Sequence, residues 1–243
     1  MDNPNIINQK KLTKKEVSEI LKSDSLFKMR EDFAEVFCER DYNGNLFEQD
    51  LVYELKDGNF LVIRDPKIMR EGGKGDIWKK LFMLRFVEWS LRFKEDYENN
   101  RGSSIDHWKY YTKFKNNLPS KIQELLSKLK SDLKLNSKEI DFSYKSLDKI
   151  SDLIEEIEVK ERFDNFYDSL VAYVGEVIRK RIEGEWKIDK NFKNPYIGTS
   201  NSNVVLNPIN IVWEQTSGLQ KVNLKKATIN EIKNVSQIYK IVK

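Results

Sequence analysis

Residues 141–186 read DFSYKSLDKISDLIEEIEVKERFDNFYDSLVAYVGEVIRKRIEGEW and carry the longest apolar helical pattern in the second half of the chain. The apolar residues recur every three or four positions, which is the period of a helix rather than of a strand. The pattern predicts a first helix with Ser146 as its N-cap. It predicts a second, longer helix that begins near residue 160 and stops at Gly184, because glycine adopts the left-handed conformation without strain.

Gly175 interrupts the second of these predicted helices. A glycine inside a helix costs ~1 kcal/mol relative to alanine, so a close approach to the backbone is expected there. We favour the packing of another helix or strand on Gly175, and the alternative is a ligand that approaches Gly175 and Glu176. A buried Glu176 needs a partner, for which arginine or lysine is expected. With Trp186 of the EGEW segment, these residues are the candidate functional residues.

The order of short motifs in this region is similar to that of a group of uncharacterised bacterial domains. DFSYKSLDKISDLI, AYVGEVI and EGEW are followed by NPYI and NPINIVWE. This succession resembles the group's D-hydrophobic-S…SL helix, Y-x-G-E helix, Gly-x-Trp turn and short strands over residues 133–215. Some members of the group lie near toxin and immunity genes. The resemblance implies a protein partner, such as a toxin, and supplies no catalytic residues.

Composition narrows the class of protein. A chain of 243 residues predicts one or two domains at ~150 residues per domain. Its 43 basic and 39 acidic residues nearly cancel, and a net charge of +4 does not indicate a dedicated nucleic-acid-binding protein.

A single cysteine excludes an intramolecular disulfide and favours a reducing compartment. The absence of an apolar leader and of a run of ~18 apolar residues predicts a cytoplasmic protein without a membrane segment.

The N-terminal half predicts helices around one β-hairpin. Thr13 and Glu16 have the spacing of a capping box, and residues 26–38 have a helical apolar pattern. Two apolar runs, at residues 51–55 and 60–64, are joined by a turn with Asp-Gly, which predicts a hairpin. Asp76 is the predicted N-cap of a very aromatic helix. Its wide apolar arc predicts a central place in the core.

The C-terminal half predicts a small antiparallel sheet packed on helices. Short strands are expected at residues 186–188, 196–199 and 204–206, and residues 209–214 fit either a strand or a helix. Thr228 and Glu231 form a second predicted capping box, at the start of a C-terminal helix. The predicted fold is therefore α+β and helix-dominated. The expected domains are 1–117 and 118–243.

No residue set reaches the specificity of a catalytic or metal motif. His107 is the only histidine, so a histidine-based triad or metal site would have to rest on it alone. Cys38 is predicted to lie on an apolar helix face as a structural thiol. The glycine cluster at residues 72–75 lacks the spacing of a phosphate loop and predicts a surface loop. The sequence predicts no catalytic residues, no cofactor and no metal.

These observations favour a non-enzymatic cytosolic protein that binds another protein, of the bacterial immunity or toxin-associated type. The partner is then a protein, such as a toxin, and neither a membrane nor a nucleic acid. One alternative is an enzyme that uses carboxylates near Glu176, which would require a second positioned group in a pocket there. Another alternative is a nucleic-acid-binding protein, which would require a basic stripe on one side.

Overall fold

The computed structural model describes residues 9–33, 35–40, 43, 45–64, 74–199 and 204–239. The chain divides into two compact units, Met1–Arg92 and Phe93–Lys243. The sequence-based boundary between residues 117 and 118 stays a prediction about which segments fold independently. Gly72 and Gly73 of the predicted surface loop lie outside the described residues.

The predicted α+β class is confirmed, since helices dominate and the strands form antiparallel sheets. The elements are β1 (Gln9–Leu12), α1 (Lys14–Lys22), β2 (Leu26–Met29), β3 (Cys38–Arg40), β4 (Leu46–Gln49), β5 (Leu51–Leu55), β6 (Phe60–Ile63), β7 (Gly75–Trp78), α2 (Lys80–Glu98), α3 (Ser104–Tyr111), α4 (Ile122–Asp132), α5 (Tyr144–Glu155), α6 (Val159–Glu161), α7 (Tyr167–Ile182), β8 (Glu185–Ile188), β9 (Pro195–Gly198), α8 (Pro208–Thr216) and α9 (Leu224–Tyr239).

The first unit contains a five-stranded antiparallel sheet in the order β1-β7-β6-β5-β2. The predicted hairpin of β5 and β6 is confirmed, and Gly58 has φ of +80° in its turn. Alternate residues of β6 enter different clusters on the two faces of the sheet. Leu61 packs with Val17 of α1, whereas Phe60 packs with Met83 of α2. The capping box of Thr13 and Glu16 at the start of α1 is also confirmed.

The helix predicted for residues 26–38 is wrong. The chain there forms β2, a 3-10 turn at Glu31–Phe33 and β3, so Cys38 lies on a strand and not on a helix. The backbone N–H of Arg30 donates to the carbonyl of Val52 at 2.8 Å. Pairing with the hairpin satisfies backbone groups along this edge, and it outweighs the helical period of a short apolar run.

Asp76 does not cap a helix, because it lies within β7 and α2 begins at Lys80. Its carboxylate accepts a hydrogen bond from Arg64 Nη2 at 3.3 Å. A Cβ added to the neighbouring Gly75 would lie 2.6 Å from the carbonyl oxygen of Val62. The glycine therefore permits close strand pairing at a place where the sequence pattern suggests a loop and a helix start.

Helix α7 is the centre of the second unit. All residues from Tyr167 to Ile178 are buried, and the helix packs against α4, α8, α9 and β9. A helix that is apolar around its whole circumference belongs in the middle of a core. One turn of π-helix, Arg162–Phe166, joins α6 to α7. The long helix predicted from about residue 160 is therefore confirmed, with an irregular first part.

The ends of the two central helices differ from the prediction. The N-cap of α5 is Ser143, whose side chain accepts from the N–H of Ser146 at 3.1 Å. The Ser146 hydroxyl instead lies 2.5 Å from the hydroxyl of Tyr173 on α7. At the end of α7 the left-handed residue is Glu183, with φ of 52°. Gly184 has a different role, since a Cβ there would lie 2.9 Å from Ile197 Cγ2.

The predicted C-terminal sheet is confirmed in β8 and β9, which pair antiparallel. The third predicted strand, residues 204–206, is reduced to one isolated bridge between Leu206 and Ile197. Residues 209–214 lie in helix α8. The second capping box is wrong, because Thr228 is fully buried inside α9. The first turn of α9 is instead bound by Ser151 Oγ, which accepts from the N–H of Leu224 at 3.0 Å.

Candidate functional site

Gly175, Glu176 and Trp186 lie together in the second unit. The first two are on α7, and the turn at residues 183–184 brings Trp186 of β8 back onto the same helix. A Cβ built on Gly175 would overlap the ring carbons Cζ2 and Cη2 of Trp186, and it would lie 3.3 Å from Pro208 Cγ. The favoured interpretation of this glycine is confirmed, since a strand side chain packs directly on the helix backbone.

The carboxylate of Glu176 is held by two neighbours. Its Oε1 atom accepts from Arg179 Nε and from Trp186 Nε1, each at 2.8 Å. Its Oε2 atom accepts from Arg179 Nη2 at 2.9 Å. The side chain is 8% exposed. The expectation of an arginine or lysine partner for a buried Glu176 is confirmed. We call Gly175, Glu176, Arg179 and Trp186 the Glu176 cluster.

The electrostatics of Glu176 favour the charged carboxylate. Burial by itself raises the pKa of Glu176, but the hydrogen bonds from Arg179 and Trp186, together with the charges of Arg179 and Lys180, hold the pKa below its ordinary value. A general acid or base needs a pKa near the operating pH and a path to the substrate. Both oxygens of Glu176 are bound within the protein, so its contacts are those of a structural ion pair.

His107 is buried against a carboxylate and several rings. Its Nε2 atom lies 3.4 Å from Asp96 Oδ2, and Asp96 Oδ1 accepts from Arg101 Nε at 2.8 Å. The imidazole centroid lies 4.4 Å from that of Phe163 and 4.7 Å from that of Tyr111. These contacts integrate the only histidine into the core of the second unit. Cys38 belongs to the first unit.

Helix α2 contributes to the core of the first unit, as its wide apolar arc predicts, but it also exposes large apolar side chains. Met83 and Val87 are its buried residues. Leu81 is 64% exposed, Leu84 41% and Leu91 50%. The helix is apolar on more than one face, and the sheet of the first unit covers only one of them. Periodicity reports how wide an apolar arc is but not how much of it a neighbour covers.

The exposed leucines form a line along α2. Positions 81, 84, 88 and 91 have the a and d spacing of a heptad, which places their side chains on one face. The residue at position 88 is Glu88, whose side chain is 65% exposed and lies 3.5 Å from Arg92. We call Leu81, Leu84, Glu88 and Leu91 the α2 stripe. The heptad spacing was present in the sequence, but aromatic neighbours at core spacing obscured it.

No family model, curated protein or solved structure matches the chain. Within the described ranges, none of the helices has the length and apolar character needed to cross a membrane. Among the same residues, no three or more histidine, cysteine, aspartate or glutamate side chains are grouped as a metal site.

Proposed function

We propose that the chain is a non-enzymatic cytosolic protein that binds another protein through the α2 stripe. The exposure of Leu81, Leu84 and Leu91 on one helix face is the observation that carries this proposal. Apolar side chains grouped on a surface mark interaction sites more often than single exposed ones do. The α2 stripe runs through positions i, i+3, i+7 and i+10, with Glu88 at i+7, and this spacing suits contact with an amphipathic helix of the partner.

The chemistry of the stripe favours a partner other than a second copy of the chain. In a parallel pair of α2 helices Glu88 would face Glu88, and in an antiparallel pair it would face Leu84. The first arrangement opposes two negative charges. The second removes the ion pair of Glu88 and Arg92 from water against a leucine, and this desolvation is also costly. A partner helix with leucine-like residues and one lysine or arginine opposite Glu88 avoids both costs.

The identity of the partner as a toxin is supported by the resemblance of residues 133–215 to domains found near toxin and immunity genes. A neutralising protein needs a stable scaffold and one complementary surface, and it needs no catalytic group. The alternative of an enzyme built around Glu176 requires an accessible carboxylate. Glu176 is 8% exposed and accepts three hydrogen bonds within the protein.

The test is co-expression of the full chain with the product of each gene adjacent to its own, followed by affinity capture and a growth assay. We expect Leu84→Gln together with Leu91→Gln to abolish capture and protection. Glu88→Lys should do the same by placing like charges opposite each other. Leu21→Gln is the matched control, because Leu21 is an exposed leucine on α1 of the same unit.

Two outcomes would contradict the proposal. In the first, the doubly substituted chain captures the same partner as strongly as the unchanged chain and protects equally well. In the second, no adjacent gene product binds and the purified protein turns over a small molecule in a manner that depends on Glu176. The second outcome would favour the enzyme alternative.

A further inference from the structure

The first unit contains a cleft of about 350 Å³. This volume lies within the range of roughly 300–1,000 Å³ that is usual for small-molecule sites. The described residues that line it come from β1, β3, β7 and α2 and from the segments that flank β5 and β6. None of them belongs to the α2 stripe, so the cleft is distinct from the surface that we propose for a protein partner.

Three aromatic rings form one wall of the cleft. The centroid of the Trp78 indole lies 5.5 Å from that of Phe37 and 5.0 Å from that of Phe86, and both contacts are edge-to-face. The rings of Phe37 and Phe86 are themselves 5.5 Å apart. Each ring is held by the other two, so the three form a fixed surface against which a further ring can pack. We call Phe37, Trp78 and Phe86 the aromatic wall.

The indole N–H of Trp78 is an unused donor in this wall. Trp78 is 3% exposed, and its Nε1 atom has no hydrogen-bond partner among the described residues. An indole nitrogen can only donate, and a buried donor without an acceptor is costly. An acceptor atom of a molecule bound in the cleft would remove this cost.

The charged side chains beside the aromatic wall already bind one another. Arg64 Nη1 donates to Asp50 Oδ2 at 2.7 Å, and Arg64 Nη2 donates to Asp76 Oδ2 at 3.3 Å. Asp76 and Trp78 are two residues apart on β7, so their side chains lie on the same face of the sheet. One guanidinium group thus serves two carboxylates. An anionic ligand would meet like charges there, which favours a neutral one.

We infer that this cleft binds a small neutral molecule that combines an aromatic ring with a carbonyl oxygen. The ring packs on the aromatic wall, and the oxygen accepts from Trp78 Nε1. A hydrocarbon of the same shape leaves the indole N–H without a partner. The oxygen therefore determines which of two equally shaped molecules binds more tightly.

The inference is tested by calorimetric titration of the full chain with three molecules of nearly equal shape. Acetophenone has a ring and a ketone oxygen, ethylbenzene lacks the oxygen, and benzoate carries a negative charge. We expect saturable binding of acetophenone. Ethylbenzene and benzoate should each bind about tenfold more weakly or worse, since the first loses a hydrogen bond and the second meets Asp50.

Trp78→Phe separates the hydrogen bond from the ring, because it removes the N–H and keeps an aromatic side chain. This variant should bind acetophenone no more tightly than ethylbenzene. Continued binding of ethylbenzene shows that the cleft of the variant is still folded. Trp213→Phe is the matched control, because Trp213 lies on α8 of the second unit. Its preference for acetophenone should be unchanged.

Cys38 reports whether the ligand lies in this cleft, because it is the only cysteine of the chain and lines the cleft. Saturating acetophenone should slow the alkylation of its thiol by iodoacetamide. An unchanged rate with acetophenone bound would place the ligand elsewhere and overturn the inference. The absence of saturable acetophenone binding, equal affinities for acetophenone and ethylbenzene, or an undiminished preference in Trp78→Phe would overturn it as well.

Discussion

Gly175 shows how one residue can reveal a tertiary contact before the contact is known. A glycine in the middle of a helix lowers helical stability, so it persists where a side chain would collide. The colliding group here is the indole of Trp186. The same indole donates to Glu176, which pairs with Arg179. The Glu176 cluster thus attaches β8 to α7 by the packing of Trp186 on Gly175 and by one hydrogen bond, from Trp186 Nε1 to Glu176.

Substitution of Gly175 should destabilise the second unit. We expect Gly175→Leu to lower the free energy of unfolding by about 1–3 kcal/mol, the usual cost of overpacking. Trp186→Leu in the same chain should recover part of the loss, because it removes the ring that collides. Urea unfolding of the two single variants and the double variant measures this coupling. Purely additive losses would show that Trp186 is not the colliding group.

The pH dependence of stability contains a contribution from Glu176. The pKa of Glu176 in the folded protein lies below its ordinary value of 4.5. Its contribution is therefore fully present above about pH 4.5 and is lost as the pH falls through the folded pKa. Glu176→Gln should lower stability at neutral pH by about 1–3 kcal/mol, as loss of a charged hydrogen bond does.

The expected difference between Glu176→Gln and the unchanged chain becomes smaller in acid. Arg179 is 37% exposed, and solvent screening places the loss at neutral pH toward the lower end of that range. Urea unfolding at several pH values measures the difference. A difference that stays constant from neutral pH to strong acid would show that the carboxylate charge contributes nothing.

At the scale of elements, α2 shows that the hydrophobicity of a helix does not determine how much of it is buried. The helix carries apolar residues around much of its circumference, but its buried residues are Met83 and Val87. Phe82 and Phe86 are partly buried against the same cluster. The remaining apolar face is the α2 stripe. Its leucines belong to the stable folded surface, and their contribution is expected in binding rather than in folding.

This division within α2 predicts effects on stability of very different size. Met83→Ala should cost about 2–5 kcal/mol, because it leaves a cavity in the core of the first unit. Leu81→Gln, Leu84→Gln and Leu91→Gln should each change the free energy of unfolding by no more than about 0.5 kcal/mol, as surface substitutions usually do. Thermal and urea unfolding of the four variants measure this. A large loss at Leu84 or Leu91 would assign those leucines to the core.

At the scale of the whole molecule, each unit has its own core. The core of the second unit includes Trp108 of α3, which is 1% exposed. Thr112, which follows α3, donates its hydroxyl to Asp168 of α7 at 2.6 Å. The sequence-based boundary after residue 117 assigns both residues to the first domain. Composition places a boundary at a polar stretch, whereas contacts between distant residues decide which segments share a core.

Fragments distinguish the two boundaries. Residues 93–243 should be more stable than residues 118–243 by about 3–5 kcal/mol, because the shorter fragment lacks the indole of Trp108. In the shorter fragment the carboxylate of Asp168 also lacks the hydrogen bond from the Thr112 hydroxyl. Circular dichroism during urea unfolding measures both fragments. Equal stability of the two would support the boundary at residues 117 and 118.

Local chemistry in the sequence determined much of the fold. The capping box of Thr13, the hairpin with Gly58 and the buried helix around Gly175 were all predicted. Each depends on interactions among neighbouring residues or on one repeated spacing, so each is encoded in a short segment. The need of Glu176 for a cationic partner followed in the same way from the cost of burying a charge.

The tertiary structure alone decided the rest, because those features depend on what a distant segment offers. Residues 26–29 form a strand because the edge of β5 is available, although their local period is helical. Ser143 rather than Ser146 caps α5 because Tyr173 binds the second hydroxyl. The α2 stripe is exposed because the sheet covers only one face of the helix. The sequence shows which polar and apolar side chains need a neighbour, and the tertiary structure decides which neighbour each of them meets.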